Sequence, residues 1–317
     1  MGYDLAGYLM KSDDLEKMEY FPKQIFALLY TPLHIRSLSQ YLKLAPQGME
    51  VYINYVNTPA DDKRVQFYIN NLRHNLSAHV LVKEKFYSTR NIFDVLSSLW
   101  LVRNNATLFT GNPRRSLSMW YAGFCPEIVV LEEGLGTTVQ DGYFDLVVSE
   151  KSRLKSLAIK LGIISDYQTA VRKIKYHITS YRNSVFEPVF RIEFPITLDH
   201  ETIGDFPDTV NIVVSSLNPD GPACYIKTIN ELVDQGMKIE HMFFSTHPRD
   251  VAKNIKAVHE ATGITILDSP LILEDLCLAL IDSGRNVVLY GDKNSSVLML
   301  NQILDNNKNY QDCTKAK

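Results

Sequence analysis

The sequence predicts an α/β protein with two domains, each built around a parallel sheet. The chain has 317 residues, a length that suits two domains of ordinary size. Its hydrophobic residues make up 45%, which favours a folded chain with a substantial core over wholesale disorder. Short apolar runs alternate with segments of helical periodicity in both halves, which is typical of parallel strands covered by helices on both faces.

The first half of the chain contains the following elements. The predicted strands cover residues 24–30, 49–56, 107–110 and 127–131. The predicted helices follow the turn at residues 31–34 and cover residues 62–74, 91–102 and 115–122. This order favours βαβ units, in which the strands joined through a helix run parallel.

The second half shows the same alternation without repeating the sequence. Its predicted strands cover residues 209–214, 240–244, 264–267 and 286–290. Its predicted helices cover residues 223–234, 250–262 and 271–281, and a last helix begins at Ser295. We therefore expect an N-terminal domain over residues 1–150, a basic helical linker over residues 151–207 and a C-terminal domain over residues 208–317.

The linker begins with a basic segment, residues 151–182. This segment holds eight Lys or Arg residues and a single acid, Asp166, with apolar residues at roughly helical spacing. A basic amphipathic helix can lie on an anionic membrane, so the segment predicts peripheral membrane contact. A solvated linker and a contact between the two copies of a homodimer are the alternatives.

Composition and charge exclude several classes of function. The net charge of −3 gives no indication of a nucleic-acid partner. The four cysteines have neither metal-ligand nor redox-motif spacing, so we expect reduced thiols, no metal site and a cytoplasmic protein. Residues 1–23 lack the apolar core of a signal peptide, and no apolar run is long enough to span a bilayer.

The first candidate site is the sequence Glu132-Glu133-Gly134, which directly follows a predicted strand. Because side chains alternate along a strand, the two carboxylates cannot both point into the core. One of them could act as a general base while the other caps a helix or pairs with a cation. Gly134 allows close backbone approach, and a plain acidic corner is the structural alternative. The glycine spacing here does not match a dinucleotide fingerprint, which disfavours an oxidoreductase.

The second candidate site is His247-Pro248-Arg249, at the end of another predicted strand. Proline suits the first turn of a helix, and the free N–H groups of that helix would face an anion. His247 could then donate to a phosphate oxygen, and Arg249 would add positive charge. A structural histidine bonded to a nearby carbonyl is the alternative.

Further polar residues stand at strand ends and helix starts in the second half. Ser295 and Ser296 open the last helix, where serine either caps the helix or helps to hold a phosphate. Ser215 and Ser216 follow the strand at residues 209–214 and could line the same cleft. Glu274 could bind ribose hydroxyls, or it could simply be favourable in a first helical turn.

The order of these motifs resembles the bacterial sialyltransferases, in particular the lipooligosaccharide sialyltransferases and the bacterial polysialyltransferases. Those enzymes share a D/E-D/E-G motif, an HP motif and a C-terminal Ser motif, and the turn at residues 30–34 is also similar. The resemblance covers roughly residues 24–304. It implies a GT-B fold, in which two Rossmann-like domains with parallel sheets face each other across a cleft. It also implies CMP-sialic acid as the donor substrate, with no cofactor and no obligatory metal.

The resemblance implies a role for each matching residue. Glu133, or alternatively Glu132, would be the general base for the acceptor hydroxyl. His247 would bind the phosphate of CMP-sialic acid, with Arg249 in support. The residues implied in binding the rest of the donor are Ser295 and Ser296 at the phosphate, Glu274 at the ribose and Asn112 at the sugar. Glu274 departs from the Pro-x-Glu pattern of the family, since three residues separate it from Pro270.

The function implied is that of an inverting sialyltransferase acting on a cell-surface glycan, such as a lipooligosaccharide, an O-antigen or a capsule. Its partners would be the nucleotide-sugar donor and the glycan acceptor, and it would lie in the cytoplasm or on the inner membrane. One alternative keeps the fold and changes the donor to another CMP-nonulosonic acid or another nucleotide sugar. The other is a non-catalytic protein of the same fold that binds sugars or nucleotides.

Overall fold

The computed structural model divides the chain into two units, Met1–Phe194 and Pro195–Lys317. The structure describes residues 21–75 (without 45, 47 and 59), 81–87, 106–133 (without 114), 153–161, 165–180, 184, 186, 188–191, 205–215, 221–247 and 250–314. The helix predicted over residues 91–102 lies outside these ranges.

The first unit contains a parallel sheet of seven strands in the order β3-β2-β1-β4-β5-β6-β7. The strands are β1 (Gln24–Leu29), β2 (Glu50–Val56), β3 (Leu81–Tyr87), β4 (Thr107–Thr110), β5 (Ile128–Leu131), β6 (Ile174–Thr179) and β7 (Val189–Arg191). The order 3-2-1-4-5-6 is that of the Rossmann fold. Its topological switch point, where the order of connection reverses, lies between β1 and β4.

Helices cover both faces of this sheet. The described helices are α1 (Pro32–Leu42), α2 (Lys63–Asn75), α3 (Ser116–Ala122), α4 (Arg153–Lys160) and α5 (Tyr167–Arg172). Tyr41 of α1 packs on Phe109 of β4, with ring centroids 5.1 Å apart. Tyr121 of α3 packs on Phe26 of β1 at 4.8 Å. Because Phe109 and its buried neighbour Leu108 point to opposite faces, β4 is apolar on both, as expected of a strand inside a parallel sheet.

The segment predicted as a helical linker over residues 151–207 differs from that prediction. It begins with α4 and α5, but β6 and β7 then extend the first sheet. The Lys173 ammonium donates to the carbonyls of Ala122 (2.6 Å) and Cys125 (2.9 Å), and Lys175 pairs with Glu127 at 3.2 Å. Lys173 therefore directly precedes β6 and Lys175 lies within it, so these two residues do not line one face of a helix.

The second unit contains a parallel sheet of five strands in the order β10-β9-β8-β11-β12. Its strands are β8 (Thr209–Val214), β9 (Met242–Ser245), β10 (Thr265–Ile266), β11 (Asn286–Gly291) and β12 (Tyr310–Asp312). Its described α-helices are α6 (Pro222–Asp234), α7 (Ala252–Thr262), α8 (Leu273–Asp282) and α9 (Ser295–Ile303). This order is again that of a Rossmann fold, with the switch point between β8 and β11.

The two sheets confirm the predicted α/β class with two Rossmann-like units. That the sheets face each other across a cleft stays a prediction. Among the described residues, no helix is long and apolar enough to cross a lipid bilayer.

Candidate active site

In the first unit, the predicted acidic motif follows β5, one strand away from the topological switch point between β1 and β4. Tyr30, Gly111 and Glu132 directly follow β1, β4 and β5, and these parallel strands end at the same edge of the sheet. Ligands of open α/β sheets bind at this edge, near the switch point. The edge is therefore where a substrate of this unit is expected.

Glu132 is buried and points into the protein, with no exposed surface. Its Oε2 accepts hydrogen bonds from the Thr179 hydroxyl (3.1 Å) and from both the backbone N–H and the hydroxyl of Ser180. Its Oε1 lies 3.7 Å from the guanidinium of Arg36, which is equally buried. These contacts tie together the ends of β5 and β6 and helix α1. These buried contacts give Glu132 a structural role. The group that accepts a proton from substrate is therefore expected to be a different residue.

Glu133 is the carboxylate of the motif that solvent reaches, with 18% of its side chain exposed. Its Oε1 accepts a hydrogen bond of 3.1 Å from Nη2 of Arg115, which is 32% exposed. The Arg115 guanidinium also lies over the ring of Tyr30, 4.1 Å from the centroid. Burial raises the pKa of Tyr30 to about 12, so the phenol is neutral at physiological pH. The pair Arg115–Glu133 thus rests on a neutral aromatic ring.

Three further residues complete this edge. Asn112, predicted to contact the donor sugar, is 4% exposed, and its backbone carbonyl accepts from the backbone N–H of Arg115 at 3.2 Å. The His34 Nδ1 accepts from the backbone N–H of Tyr30 at 3.1 Å. A Cβ on Gly111 would lie 1.9 Å from the His34 Nε2, so only glycine fits there. Gly134 lies outside the described residues.

His34 is a neutral histidine at this edge. Burial, with a smaller contribution from the nearby charge of Arg115, lowers its pKa to about 3. Its Nε2 is buried and has no hydrogen-bond partner among the described residues. The cationic group that the described part of this edge presents to solvent is therefore Arg115, not His34.

In the second unit, Ser215 connects the predicted residues at the switch point. Its side chain is buried and follows β8. Its hydroxyl donates to the Asp250 carboxylate and accepts from the backbone N–H of His247 at 2.7 Å. Its carbonyl accepts from the Asn294 side-chain amide at 3.1 Å. Ser215 thereby holds together the loops that follow β8, β9 and β11.

His247 is half-buried at the end of β9, and a turn closed by Asp250 fixes its backbone. The backbone N–H of His247 donates to the Asp250 carboxylate (2.7 Å), and the backbone N–H of Asp250 donates to the His247 carbonyl (2.9 Å). Helix α7 begins only at Ala252, so the prediction that Pro248 occupies its first turn is wrong. The short turn closed by Asp250 separates β9 from helix α7. Pro248 and Arg249 lie outside the described residues.

Ser295 and Ser296 open helix α9 as predicted, but neither of them is the cap. Asn294 is the N-cap, and its side-chain oxygen accepts from the backbone N–H of Val297 at 3.1 Å. Ser296 is half-buried in the first turn. A Cβ on Gly291 would lie 2.6 Å from the Val214 carbonyl oxygen, and the φ of Gly291 is +96°, so this approach of β11 to β8 requires glycine.

Glu274 and Ser216 complete the predicted set. Glu274 is 6% exposed in the first turn of α8, beside Asp275, which is also buried. Burial raises the pKa of Cys277, one turn further on, and the charge of Glu274 adds to this effect. Such burial favours the structural interpretation of Glu274 over a contact with ribose. Ser216 lies outside the described residues.

Sequence reasoning missed Arg115, Asp250 and Asn294. Each is a polar residue just after a strand or just before a helix, at the edge where the predicted residues lie. Asp250 stands three residues after His247, and Asn294 directly precedes Ser295. A search for Asn or Asp at every strand-to-helix turn would have found these two, since both types bond readily to nearby backbone.

Comparisons with known proteins add little to this description. No protein-family model matches the chain, and no curated protein matches it. The chain resembles the MnaA–UDP structure of S. aureus, with 11% identity, a TM-score of 0.45 and coverage of 84% of this chain and 74% of that one. It also resembles a putative UDP-N-acetylglucosamine 2-epimerase from Listeria monocytogenes, with 10% identity, a TM-score of 0.45 and coverage of 90% of this chain and 89% of that one. A glycosyltransferase from Rickettsia africae has 12% identity, a TM-score of 0.44 and coverage of 92% of this chain and 84% of that one. At these identities and TM-scores, the chemistry has to be argued from the residues themselves.

Proposed function

We propose that the protein is an inverting glycosyltransferase of the GT-B type that transfers sialic acid from CMP-sialic acid to a hydroxyl of a cell-surface glycan. One observation carries the proposal. Beside the switch point of the first unit, strand alternation buries Glu132 and leaves Glu133 accessible as a single positioned carboxylate. The second unit presents His247 beside its own switch point, on a turn held by Ser215 and Asp250.

The reaction needs two kinds of group, and these residues supply both. The acceptor hydroxyl must lose a proton as it attacks, and Glu133 takes that proton as general base. The bond between the anomeric carbon and the phosphate oxygen breaks through an oxocarbenium-like transition state, and the CMP anion leaves. His247, with the hydroxyls of Ser295 and Ser296, stabilises the charge that builds on the phosphate. Attack and departure occur on opposite faces of the sugar, so one displacement inverts the configuration, and no step uses a metal ion.

The acceptor class and the location belong to the same proposal. We propose a lipooligosaccharide, O-antigen or capsule unit as acceptor, and the cytoplasmic face of the inner membrane as the place of reaction. All four cysteines are free, which supports a reducing compartment. Helix α4 exposes Leu157 and carries basic residues, which supports peripheral contact with an anionic membrane.

Calorimetric titration with CMP, with UDP and NAD as controls, tests the choice of nucleotide. We expect selective binding of CMP that His247→Ala weakens about 10-fold or more, the scale of one lost hydrogen bond to a charged group. His241→Ala is the matched control, since His241 is exposed and precedes β9 at its opposite end. Preference for UDP would keep a nucleotide-sugar transferase and discard the sialyl donor. Binding of none of the three would favour a non-catalytic protein.

A further inference from the structure

Arg115 is a cation fixed directly beside the proposed general base. Three contacts hold it: the 3.1 Å hydrogen bond to Glu133, the stacking over the Tyr30 ring at 4.1 Å, and the backbone hydrogen bond to the Asn112 carbonyl. A guanidinium carries five N–H donors in a planar fork. Of the described residues, only Glu133 accepts a hydrogen bond from this fork, and 32% of the side chain is exposed. The fork can therefore bind a second anion that comes from solvent.

The pairing is unusual for a group that has to accept a proton. A guanidinium in contact with a carboxylate favours the charged form and makes it a poorer base. A substrate anion that takes over part of the Arg115 fork would loosen this hold on Glu133. Binding of the anion and release of the base would then be a single event at one residue.

The chemistry of the proposed donor sugar supplies such an anion. In a nonulosonic acid, the carboxylate is bonded to the anomeric carbon itself. The attacking hydroxyl has to lie about 3 Å from both that carbon and its general base. A cation in contact with the base is therefore within reach of the carboxylate. An aldose presents only hydrogen at the same position, so it offers this cation no partner.

Resting on the proposed function, we propose that Arg115 binds the carboxylate of the donor sugar, and that this contact selects an acidic sugar and frees Glu133 to act as base. The neighbouring groups favour this assignment. Tyr30 and His34 are both neutral at physiological pH, so neither of them competes for the incoming carboxylate. The stacking on Tyr30 keeps the fork oriented, which lowers the entropy lost when it binds a planar carboxylate.

The test compares two donors, CMP-sialic acid and its analogue in which the sugar carboxylate is a neutral carboxamide. We expect Arg115→Met to lower kcat/KM for the acid donor about 10- to 100-fold, the scale of a hydrogen bond to a charged group. We expect kcat/KM for the carboxamide donor to fall by no more than about 3-fold, because this donor brings no charge to Arg115 and the substitution also releases Glu133 from its pair. Arg115→Lys keeps the charge without the fork and should fall between wild type and Arg115→Met on the acid donor.

The matched control is Arg73→Met, which removes the arginine of another arginine–glutamate pair in the same unit, Arg73–Glu84. It should leave the preference for the acid donor unchanged. An equal loss on both donors with Arg115→Met, or wild-type rates for both Arg115 variants, would overturn the inference while the proposed function stands. A wild-type protein that transfers from neither donor would overturn the proposed function, and the inference with it.

Discussion

Glu132 and Arg36 form an ion pair inside the first unit, with 3.7 Å between the carboxylate and the guanidinium and no exposed surface on either side chain. The next residue along the chain, Glu133, pairs instead with the partly exposed Arg115. Two adjacent glutamates thus pair with two different arginines: Glu132 with the buried Arg36, and Glu133 with Arg115 at the sheet edge. This division makes the two carboxylates separable by experiment.

Replacement of Glu132 should damage the fold. In Glu132→Gln the buried charge of Arg36 loses its counter-ion, and breaking such a pair typically costs about 3–5 kcal/mol. We expect the free energy of unfolding, measured by urea denaturation, to fall by that order. Glu133→Gln should lower it by about 1 kcal/mol or less, since its pair with Arg115 is partly solvated. Equal and small losses in both variants would contradict the structural role of Glu132.

Asp250 should matter for nucleotide binding through the position of His247. Its carboxylate accepts from the His247 backbone N–H and the Ser215 hydroxyl, so Asp250→Ala removes the closure of the turn. We expect the Kd for CMP to rise about 10-fold, the scale of one or two lost hydrogen bonds. Asp250→Asn keeps one acceptor oxygen and should recover part of the affinity.

The control for Asp250 is Asp234→Ala, on the exposed end of helix α6 in the same unit. It should bind CMP as the wild type does. If Asp250→Ala bound CMP normally, the Ser215–Asp250 contacts would have no part in positioning His247.

Two buried histidines should make the protein sensitive to mild acid. Burial, with smaller contributions from Arg115 and Arg191, lowers the pKa of His34 and His177 to about 3. In the unfolded chain the pKa of a histidine is about 6.5. Below that pH the unfolded state therefore binds protons that these two histidines do not bind in the folded state. The stabilisation is thus complete above about pH 6.5 and is lost as the pH falls towards 3. Each histidine removes at most about 1.4 kcal/mol per pH unit in this window.

Urea denaturation at pH 7.0 and 5.5 measures this loss. In His177→Gln the free energy of unfolding should fall less between the two pH values than in the wild type, because one titrating group is gone. His259→Gln, which alters an exposed histidine of the second unit, should keep the wild-type dependence. A wild-type dependence in His177→Gln would contradict the assignment.

Helix α4 should carry whatever membrane contact the protein makes. Leu157 is 53% exposed and Leu161 is 65% exposed, and the backbone N–H of Leu161 donates to the Leu157 carbonyl at 2.9 Å, so the two lie one turn apart. Replacement of both Leu157 and Leu161 by Asp should reduce sedimentation with anionic vesicles at least about 10-fold. Each leucine that becomes buried in the membrane contributes about 1.5–3 kcal/mol to the free energy of binding. Val233→Asp, an exposed valine of α6, is the control. A loss of dimerisation with unchanged vesicle binding would instead make this surface a contact between two copies.

Much of the fold follows from local pattern. The predicted strands at residues 24–30 and 209–214 agree with β1 and β8 within one residue, because each is a short apolar run followed by a turn. Strand β3 was missed because Lys83, Glu84 and Lys85 give it the charged composition of an edge strand. Strand β6 was missed because Lys173 directly precedes it and Lys175 lies within it, which interrupts the apolar pattern.

The site was predictable only in part. Alternation along a strand implied that Glu132 and Glu133 diverge, but not which of them is buried. That choice depends on Arg36 and Ser180, which lie 96 and 48 residues away from Glu132 in the sequence. The closure of the His247 turn by Asp250 likewise depends on Ser215, which a different strand supplies. Long-range pairings of this kind leave no periodic signal in the sequence.

The steady-state rate of transfer from CMP-sialic acid, compared between the wild type and Glu133→Gln, tests the central claim most directly. We expect Glu133→Gln to lower kcat by about 10²-fold or more while CMP binding is retained, since a lost general base has an effect of that size. Glu84→Gln removes a carboxylate that also pairs with an arginine in this unit, and it should transfer at the wild-type rate. A Glu133→Gln enzyme with a near-normal kcat would contradict the account.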